Sequence, residues 1–498
     1  MNDILEQLPD VLQHLFLDVP QEINDEVRLV QRRRVITPSS FVRTLVFGWL
    51  DNPDAGMAQL AEYATSLLGT PLSESGLRGH FTQPAIDLLS NLLDRALGFY
   101  LQGAQLPSPL LQRFNGVFVF DTTSVHLPAH LARFFPGPGN QHGSTASCKV
   151  LLGLELSAGA MTQVELCCAR LPDQALAPGL HPVPEGALTM HDLGFFGLKR
   201  FAEQALLGNY FFSRAHPQLV VQLPGGASQP LLEYLRGRGA EVDEEEVELG
   251  SKDRLRCRLI AWRVPDAVAQ RRKQKRIEQH ARKQRRRSNK KRRGGRVSKG
   301  ADKARAKAKA AKAKAAQGPS AEQLEWCEWV VVLTNVPAEK LSVKEAEALL
   351  RARWQIELLI KLWKGYGGLE RQKGRKRERV HCELLAKLLG QVVGHWALLA
   401  SGKAYVELSV TRGAQQVRKY AERLGQALGQ GREALCAVLA ELAVRIARCG
   451  RRQRRRKDPS AAQRLAGELP PWFSEEPPPE PEWLVQMQER AGVHRRAG

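Results

Sequence analysis

An acid stands among cations in the stretch Leu350-Arg-Ala-Arg-Trp-Gln-Ile-Glu-Leu-Leu-Ile-Lys-Leu-Trp-Lys364. Offsets of four, four and three residues put Arg353, Glu357, Lys361 and Lys364 on one face of a helix. The other positions are mostly apolar, which predicts a helix packed on several sides with one charged stripe left open. The simplest interpretation is a run of i,i+4 ion pairs, worth about 0.2 to 0.5 kcal/mol per pair on an exposed helix. The alternative is a functional site centred on Glu357.

Two further acids each follow an apolar run that is typical of a buried strand. Val117-Phe-Val-Phe120 ends in Asp121-Thr-Thr-Ser124, and Ala187-Leu-Thr-Met-His191 leads into Asp192-Leu-Gly-Phe-Phe196. A central strand turns polar where it leaves the core, so both aspartates are expected at the end of a strand. Each motif is weak by itself, because Asp commonly closes strands and caps helices, and an amphipathic helix is predicted over 198–207.

The pattern Arg353-x3-Glu357-x6-Lys364 resembles the Tyr-x2-Arg-x3-Glu-x6-Lys signature of the insertion-sequence family 4 transposases, a branch of the DDE transposases. Leu350 stands at the Tyr position, and Leu193 stands where the family usually carries Arg. The runs 329–335 and 382–388 are similar to the strand before this helix and to the chain after it. The two aspartates and the glutamate follow in the family's order, separated by 71 (192 − 121) and 165 (357 − 192) residues.

This resemblance implies a mixed α/β fold with a ribonuclease-H-like catalytic core, in which Asp121, Asp192 and Glu357 hold metal ions. Carboxylate oxygens suit Mg²⁺ or Mn²⁺. Two such ions, about 3.5 to 4 Å apart, stabilise the attacking and leaving oxygens when a phosphodiester is cleaved. Without metal the clustered acids repel, so at least one carboxyl pKa should rise. The resemblance gives Arg353 and Lys364 the role of binding DNA phosphates.

Four more residues are expected to contact DNA. Lys361 shares the helix face of Glu357. Trp329 occupies a position where a relative has a tryptophan that handles a flipped base, although a core tryptophan at the start of a strand is the alternative. Lys149, within 146–152, and Arg214, at the end of 210–214, resemble strand positions of the family and are either phosphate contacts or solvated strand ends.

Composition points to a nucleic-acid partner and shows where the charge lies. The chain has a net charge of +22 and a pI of about 9.9. Residues 271–320 hold 22 Lys and Arg against 2 Asp and Glu, so only +2 remains for the rest of the chain. Such a run predicts a self-repelling segment that becomes ordered against a polyanion, here DNA outside the catalytic face. A nuclear-localisation signal is the other interpretation of this segment. The basic run 451–457 has the same two interpretations, DNA binding and nuclear localisation.

The 498 residues allow about three domains. Helical periodicity near the N-terminus predicts a module that binds the DNA ends, with an unspecific helical cap as the alternative. The expected organisation is an N-terminal helical DNA-end-binding domain (1–109), a catalytic domain in two segments (110–225 and 320–400), a β-rich insertion (226–319) with a basic flexible part (271–318), a C-terminal helical region (401–468) and a Pro/Glu-rich tail (469–498).

Several other classes of site are not indicated. The eight cysteines form no CxxC pair and the twelve histidines show no metal spacing, which predicts free thiols in a reducing compartment and no zinc site. The N-terminus does not resemble a signal peptide. The apolar run 384–400 is interrupted by Lys387, Gln391 and His395, which favours a core helix over a membrane span. We expect a cytoplasmic protein without a membrane partner or a nucleotide cofactor.

These features predict a cut-and-paste DNA transposase that acts as a homodimer. It would bind the terminal inverted repeats of its element, cleave them hydrolytically and join them to target DNA; a hairpin intermediate is implied by the resemblance alone. Two other classes stay open, a structure-specific ribonuclease-H-like nuclease that cuts without joining, and a catalytically idle DNA-binding protein derived from a transposase. Terminal inverted repeats flanking the gene would favour the first.

Overall fold

The computed structural model describes residues 3–31, 35–69, 71–140, 143–176, 180–238, 242–292, 318–450, 452 and 459–468. Two compact units are found, the first comprising Met1–Phe212 with Ala338–Glu468 and the second centred on Ser213–Pro337. The domain boundaries expected from the sequence stay a prediction. The expectations for 293–317, for the basic run 451–457 apart from Arg452, and for the tail 469–498 lie outside the described residues.

The first unit begins with helices. They are α1 (Asp3–Gln13), α2 (Val19–Val27), α3 (Pro38–Asp51), α4 (Met57–Leu68), α5 (Glu74–Arg78) and α6 (Gln83–Gly98), with a π-helical turn, His14–Asp18, between α1 and α2. The helix α3 begins after Thr37, whose hydroxyl oxygen accepts a hydrogen bond from the backbone N–H of Ser40. Such a cap satisfies a backbone donor that the helix leaves unpaired. Nearly all of α3 is buried, so it forms the core of this region.

The strands of the first unit follow these helices. The strands and the helices among them are β1 (Val117–Leu127), β2 (Pro136–Asn140), β3 (Gly143–Glu155), β4 (Met161–Cys168), α7 (Asp173–Leu176), β5 (Leu188–His191), α8 (Leu198–Leu206) and β6 (Tyr210–Arg214). The strands lie in the order β2-β3-β1-β5-β6, and β4 also pairs with β3. The pairs β1–β3 and β3–β4 are antiparallel, whereas β1–β5 is parallel. The first four residues of β1 and all of β5 are buried, as their apolar sequences predict.

The second unit contains further strands and a long basic helix. Its elements are β7 (Val220–Gln222), β8 (Ser228–Pro230), α9 (Leu231–Arg238), β9 (Val242–Leu249), β10 (Leu255–Arg263), α10 (Asp266–Arg292), α11 (Ala321–Glu325) and β11 (Trp329–Thr334). The strand order is β11-β10-β9-β7-β8, and every residue of β11 is buried.

The helix α10 differs from the flexible segment expected from the sequence. It is 27 residues long, which corresponds to about 40 Å. Arg, Lys, Gln and Ala all favour a helix. Its first turns are also held in place, because Lys273 Nζ lies 2.6 Å from Glu328 Oε1 and Arg272 Nη1 donates a hydrogen bond to the Trp329 carbonyl at 3.3 Å. Good intrinsic propensity and an anchored start therefore form a helix in spite of the charge repulsion.

The chain returns to the first unit with more helices. They are α12 (Val343–Gly365), α13 (Arg377–Leu399), α14 (Val410–Gln430), α15 (Arg432–Cys449) and α16 (Ala461–Leu465). The helix α13 packs against α3 and α6. It is the core helix expected over 384–400, and its Lys387 and Glu383 are both buried and lie 2.9 Å apart. Among the helices of the described residues, none combines the length and apolarity needed to cross a bilayer. The fold is thus mixed α/β, with an open sheet flanked by helices.

Candidate active site

The parallel pairing of β1 and β5 brings the two aspartates together. Phe120 of β1 is in register with His191 of β5, so Asp121 and Asp192 follow at the same end of two adjacent strands. Neighbouring strands lie about 4.8 Å apart, which makes these residues neighbours although 71 positions separate them (192 − 121). The backbone of Asp192 leads into a 3-10 turn, Leu193–Phe195, and its side chain makes no capping hydrogen bond there. The Asp192 side chain therefore does not cap this turn by a hydrogen bond, as the helix-capping alternative would require.

Glu357 reaches the same place from α12. This helix begins after Ser342, whose hydroxyl oxygen accepts from the backbone N–H of Glu345 while the Glu345 carboxylate accepts from the Ser342 N–H. It packs against β1 and β3. Of the charged stripe that the sequence predicted to be open to solvent, Arg353 is buried and Glu357 and Lys364 are half-buried, whereas Lys361 is exposed. Trp354, which the sequence placed among the packed apolar positions, is also exposed, with 41% of its surface accessible.

A single buried guanidinium links two of the acids. Arg353 has a side chain that is 8% exposed, with Nη2 2.7 Å from Glu357 Oε1 and Nη1 3.7 Å from Asp192 Oδ1. Its Nε and Nη1 atoms are buried and make no hydrogen bond in the described part of the chain. A buried cation is stable only when it is paired. Arg353 is therefore the counter-ion of this acidic site.

The pKa of Asp121 responds to the charges of the other two acids and of Arg353. Burial, followed by the charge of Asp192, raises the pKa of Asp121 to about 7, and Glu357 adds to the increase. A hydrogen bond from the Thr122 N–H, 2.7 Å from Oδ1, and the charge of Arg353 act in the opposite direction. A raised pKa for one of the clustered acids is what the sequence predicted.

The three acids are suitable ligands for divalent metal ions, but they are too far apart in this structure to hold one together. Carboxylate oxygens are the ligands that Mg²⁺ and Mn²⁺ prefer. Within the described ranges, no group of three or more His, Cys, Asp or Glu side chains is close enough together to hold a metal ion. The guanidinium of Arg353 occupies the position between Glu357 and Asp192 and neutralises charge that a cation would otherwise neutralise. The oxygen ligands of Asp121, Asp192 and Glu357 therefore fit such a metal ion in their chemistry, and Arg353 lies between Asp192 and Glu357.

The two lysines expected at this site have different surroundings. Lys364 is half-buried, donates a hydrogen bond to the Ser124 carbonyl of β1 at 3.0 Å, and lies 2.7 Å from Glu370 Oε1. It therefore ties the end of α12 to the strand that carries Asp121. Lys361 is exposed and lies 4.3 Å from the centre of the Trp354 ring. Lys361 is thus the more accessible of the two cations.

The surroundings of the three remaining expected DNA contacts differ. Trp329 is 2% exposed at the start of β11, with the Arg263 guanidinium 4.6 Å from its ring centre. Arg214 is half-buried at the end of β6. Lys149 is 8% exposed in β3 and donates hydrogen bonds to Asp173 Oδ1 at 2.7 Å and to the Leu171 carbonyl at 2.6 Å. The surroundings of Trp329 match the core alternative, and Lys149 is neither a solvated strand end nor an open cation.

Two acids near the site were missed by the sequence reasoning. Asp173 accepts hydrogen bonds from Lys149 and from Thr122, the residue after Asp121. Glu370 forms the ion pair with Lys364. Asp173 follows a strand and a proline, in Leu171-Pro-Asp173, which is a common start for a short helix and carries no catalytic signature. Only the folded arrangement shows that it lies beside the residues around Asp121.

Comparison with known proteins identifies the family of this chain independently of the geometry of the site. Residues 112–391, more than half of the chain, match the model of the transposase DDE domain family. The chain is 23% identical to the transposase for insertion sequence element IS231F of Bacillus thuringiensis subsp. israelensis, over 74% of this chain and 75% of that protein. It is 22% identical to the transposase for insertion sequence element IS1151 of Clostridium perfringens, over 82% and 84%.

Among solved structures, a piggyBac transposase synaptic complex with hairpin DNA is similar at a TM-score of 0.42 and 8% identity, over 87% of this chain and 81% of that one. The family match covers β1, β5 and α12, the three elements that carry Asp121, Asp192 and Glu357. The chain therefore belongs to the family of enzymes with a DDE transposase domain, and it is a DNA transposase of an insertion sequence.

Proposed function

We propose that this transposase moves its insertion sequence by cut-and-paste, with Asp121, Asp192 and Glu357 as the catalytic carboxylates. One observation carries the proposal: the buried Arg353 pairs with Asp192 and Glu357, and the charges of all three of these residues shift the pKa of Asp121, although the three acids are far apart in the sequence. A purely structural ion pair needs one acid for each cation. A third acid whose pKa is raised to about 7 destabilises the metal-free fold when it is ionised. Strongly shifted pKa values of this kind are typical of functional sites.

The DDE transposase domain implies dependence on divalent metal ions. We expect two ions, Mg²⁺ or Mn²⁺, held by Asp121, Asp192 and Glu357. When bound, they would activate the water or 3′-hydroxyl nucleophile and stabilise the leaving oxygen. Arg353 would leave the acids at that point and hold a DNA phosphate, to which its planar guanidinium can donate two hydrogen bonds.

The remaining finer assignments form part of the same proposal. The catalytic core would be ribonuclease-H-like, which is supported by a β1 that is antiparallel to β3 and parallel to β5. The Arg353, Glu357 and Lys364 spacing supports membership of insertion-sequence family 4. Lys361, Lys364 and Arg214 would contact DNA beyond the reacting phosphate. A homodimer would bring two element ends together.

The test is a gel assay of cleavage and joining on DNA that carries the inverted repeats flanking the gene. With Mg²⁺ or Mn²⁺, the wild-type protein is expected to cut at the ends and to join them to target DNA. A matched DNA without the repeats is the control. Cutting without any joined product would favour the nuclease alternative, and binding without cutting would favour the idle DNA-binding protein.

A further inference from the structure

A partly buried hydrogen-bonded network lies behind Asp121. Asp173, at the start of α7, accepts two hydrogen bonds on Oδ1, from Thr122 Oγ1 at 2.8 Å and from Lys149 Nζ at 2.7 Å. Lys149 also donates to the Leu171 carbonyl, two residues before Asp173. The Lys149 side chain is 10% exposed and that of Asp173 is 25% exposed, so solvent screens this ion pair only in part. One carboxylate therefore connects β1, β3 and α7.

The register of the sheet shows from which side this network acts. Lys149 is paired with Ser124 across β3 and β1, so its side chain lies on the same face as those of Ser124 and Thr122. Side chains alternate along a strand, so Asp121 points to the opposite face, and the charges of Arg353 and Glu357 on α12 act on it there. Asp173 consequently supports Asp121 from behind, and it is not a fourth ligand on the metal side.

The same short helix also contacts the loop that carries Asp192. An ideal Cβ built on Gly194 would overlap Asp173 Oδ2, so the backbone two residues after Asp192 approaches this carboxylate closely. Gln174 Nε2 donates a hydrogen bond to the Phe196 carbonyl at 2.6 Å. The start of α7 is therefore in contact with the segments that follow both aspartates.

We propose that Asp173 is a positioning residue, held by Lys149, that sets the distance between Asp121 and Asp192 for metal binding. Thr122 connects it to the first aspartate, and Gly194 provides the space that lets it approach the second. Lys149 then acts on the site through Asp173 and does not bind a DNA phosphate. This inference rests on the proposed roles of Asp121 and Asp192, and it adds a specific function to residues outside the triad.

The first experiment measures Mn²⁺ binding to the DNA-free protein by calorimetry, together with kcat and KM for cleavage of end DNA. Asp173→Ala is expected to weaken Mn²⁺ binding about 10- to 100-fold, the range found when groups that orient metal ligands are removed. The kcat should fall at low metal concentration and recover in part at high metal concentration, while KM for DNA changes little. Lys149→Met should give the same pattern, with an unchanged salt dependence of DNA binding.

Two reference variants make the outcome decisive. Lys199 and Glu203 form an exposed ion pair on α8 with an Nζ–Oε1 distance of 3.9 Å, so Glu203→Ala removes a carboxylate from the helix that follows this loop and should leave Mn²⁺ binding unchanged. Glu357→Gln should abolish cleavage. If Glu357→Gln has no effect, the proposed function fails. If it abolishes cleavage while Asp173→Ala binds Mn²⁺ like the wild type, only the positioning role fails.

A second experiment uses the close approach at Gly194. Gly194→Ala should weaken Mn²⁺ binding, because its new Cβ would push Asp173 away. The double variant Gly194→Ala with Asp173→Ala should be no worse than Asp173→Ala alone, since the overlap has been removed. Additive losses in this double-mutant cycle would show that the two residues act independently and would overturn the inference. Thermal unfolding of each variant separates a loss of fold from a loss of metal binding.

Discussion

The helices α12 and α10 are both rich in cations, yet they use them in opposite ways. On α12, Arg353 and Lys364 are ion-paired, and Arg353 is buried against acids. On α10, 13 Lys or Arg stand against 2 Asp or Glu, and Lys275, Arg276, Arg282 and Lys283 are exposed. The apolar surroundings of α12 bury Arg353 and partly bury Lys364, and a buried charge is stable only when it is paired, so these two cations lie next to acids. Without apolar neighbours, the same residue types remain available to a polyanion.

The largest expected effect falls on the chemistry that α12 serves. Replacing Asp121, Asp192 or Glu357 by Ala should reduce cleavage of end DNA by about 1,000-fold or more, a loss typical of an essential catalytic group. Binding of the same DNA should change little, because these acids are not the phosphate contacts. Single-turnover cleavage and a mobility-shift assay on one DNA measure both quantities. Cleavage at the wild-type rate by any one variant would remove the proposed triad.

The second test exchanges the metal. With Ca²⁺ in place of Mg²⁺, the protein should still bind its DNA ends and should not cut them, since the larger ion has a looser coordination geometry. Cleavage assays with each ion and with a chelator make the comparison. Adding Mg²⁺ to the Ca²⁺-loaded complex should restore cutting. Cutting in the presence of the chelator would contradict the mechanism.

The third test addresses α10. Deleting residues 271–316 should weaken non-specific DNA binding and flatten its salt dependence, because each phosphate contact adds about −0.9 to the slope of log K against log salt concentration. Gln at Lys275, Arg276, Arg282 and Lys283 is a gentler variant, since Gln retains helix propensity. Cleavage of pre-bound DNA should stay near the wild-type rate. An unchanged slope in the deletion would mean that this segment does not touch DNA.

The fourth test uses pH and the metal-free protein. The folded state keeps a proton on Asp121 up to about pH 7, whereas an unfolded Asp loses it near pH 3.9. The free energy of unfolding should therefore fall as the pH rises from about 4 to 7, by up to about 1.4 kcal/mol per pH unit. Asp121→Asn should lack this contribution and be the more stable protein at pH 8. Parallel unfolding curves for the two proteins would show that Asp121 titrates normally.

The smallest effect is expected for Lys361, the exposed cation of α12. Lys361→Ala should make the salt slope of DNA binding less negative by about 0.9, which corresponds to one phosphate contact. Loss of its contact with Trp354 should cost about 0.5 to 1 kcal/mol of stability, as is usual for an exposed cation–π pair. Lys149→Met should leave the slope unchanged. The two lysines thus test whether exposure distinguishes a DNA contact from a positioning residue.

The sequence predicted the strands and helices that carry the site better than it predicted the burial and the contacts of the side chains on them. The apolar run 117–120 and the helix over 198–207 appear as the buried start of β1 and as α8, because local periodicity specifies such elements. The burial of Arg353 could not be read from helical spacing, since it depends on which face of α12 packs on β1. Asp173 could not be found either, because its partners lie 51 and 24 residues away in the chain.

The ion pairs of Arg353 have a consequence for the order of events in transposition. One guanidinium cannot serve both the carboxylates and a DNA phosphate, so in the proposed mechanism whatever draws Arg353 away also opens the acids to metal. Such coupling is reciprocal: DNA would raise the affinity for the ions by the same factor by which the ions raise the affinity for DNA. An enzyme that cuts chromosomes would then assemble its reactive form chiefly on a bound end, and its idle copies would remain harmless to the host.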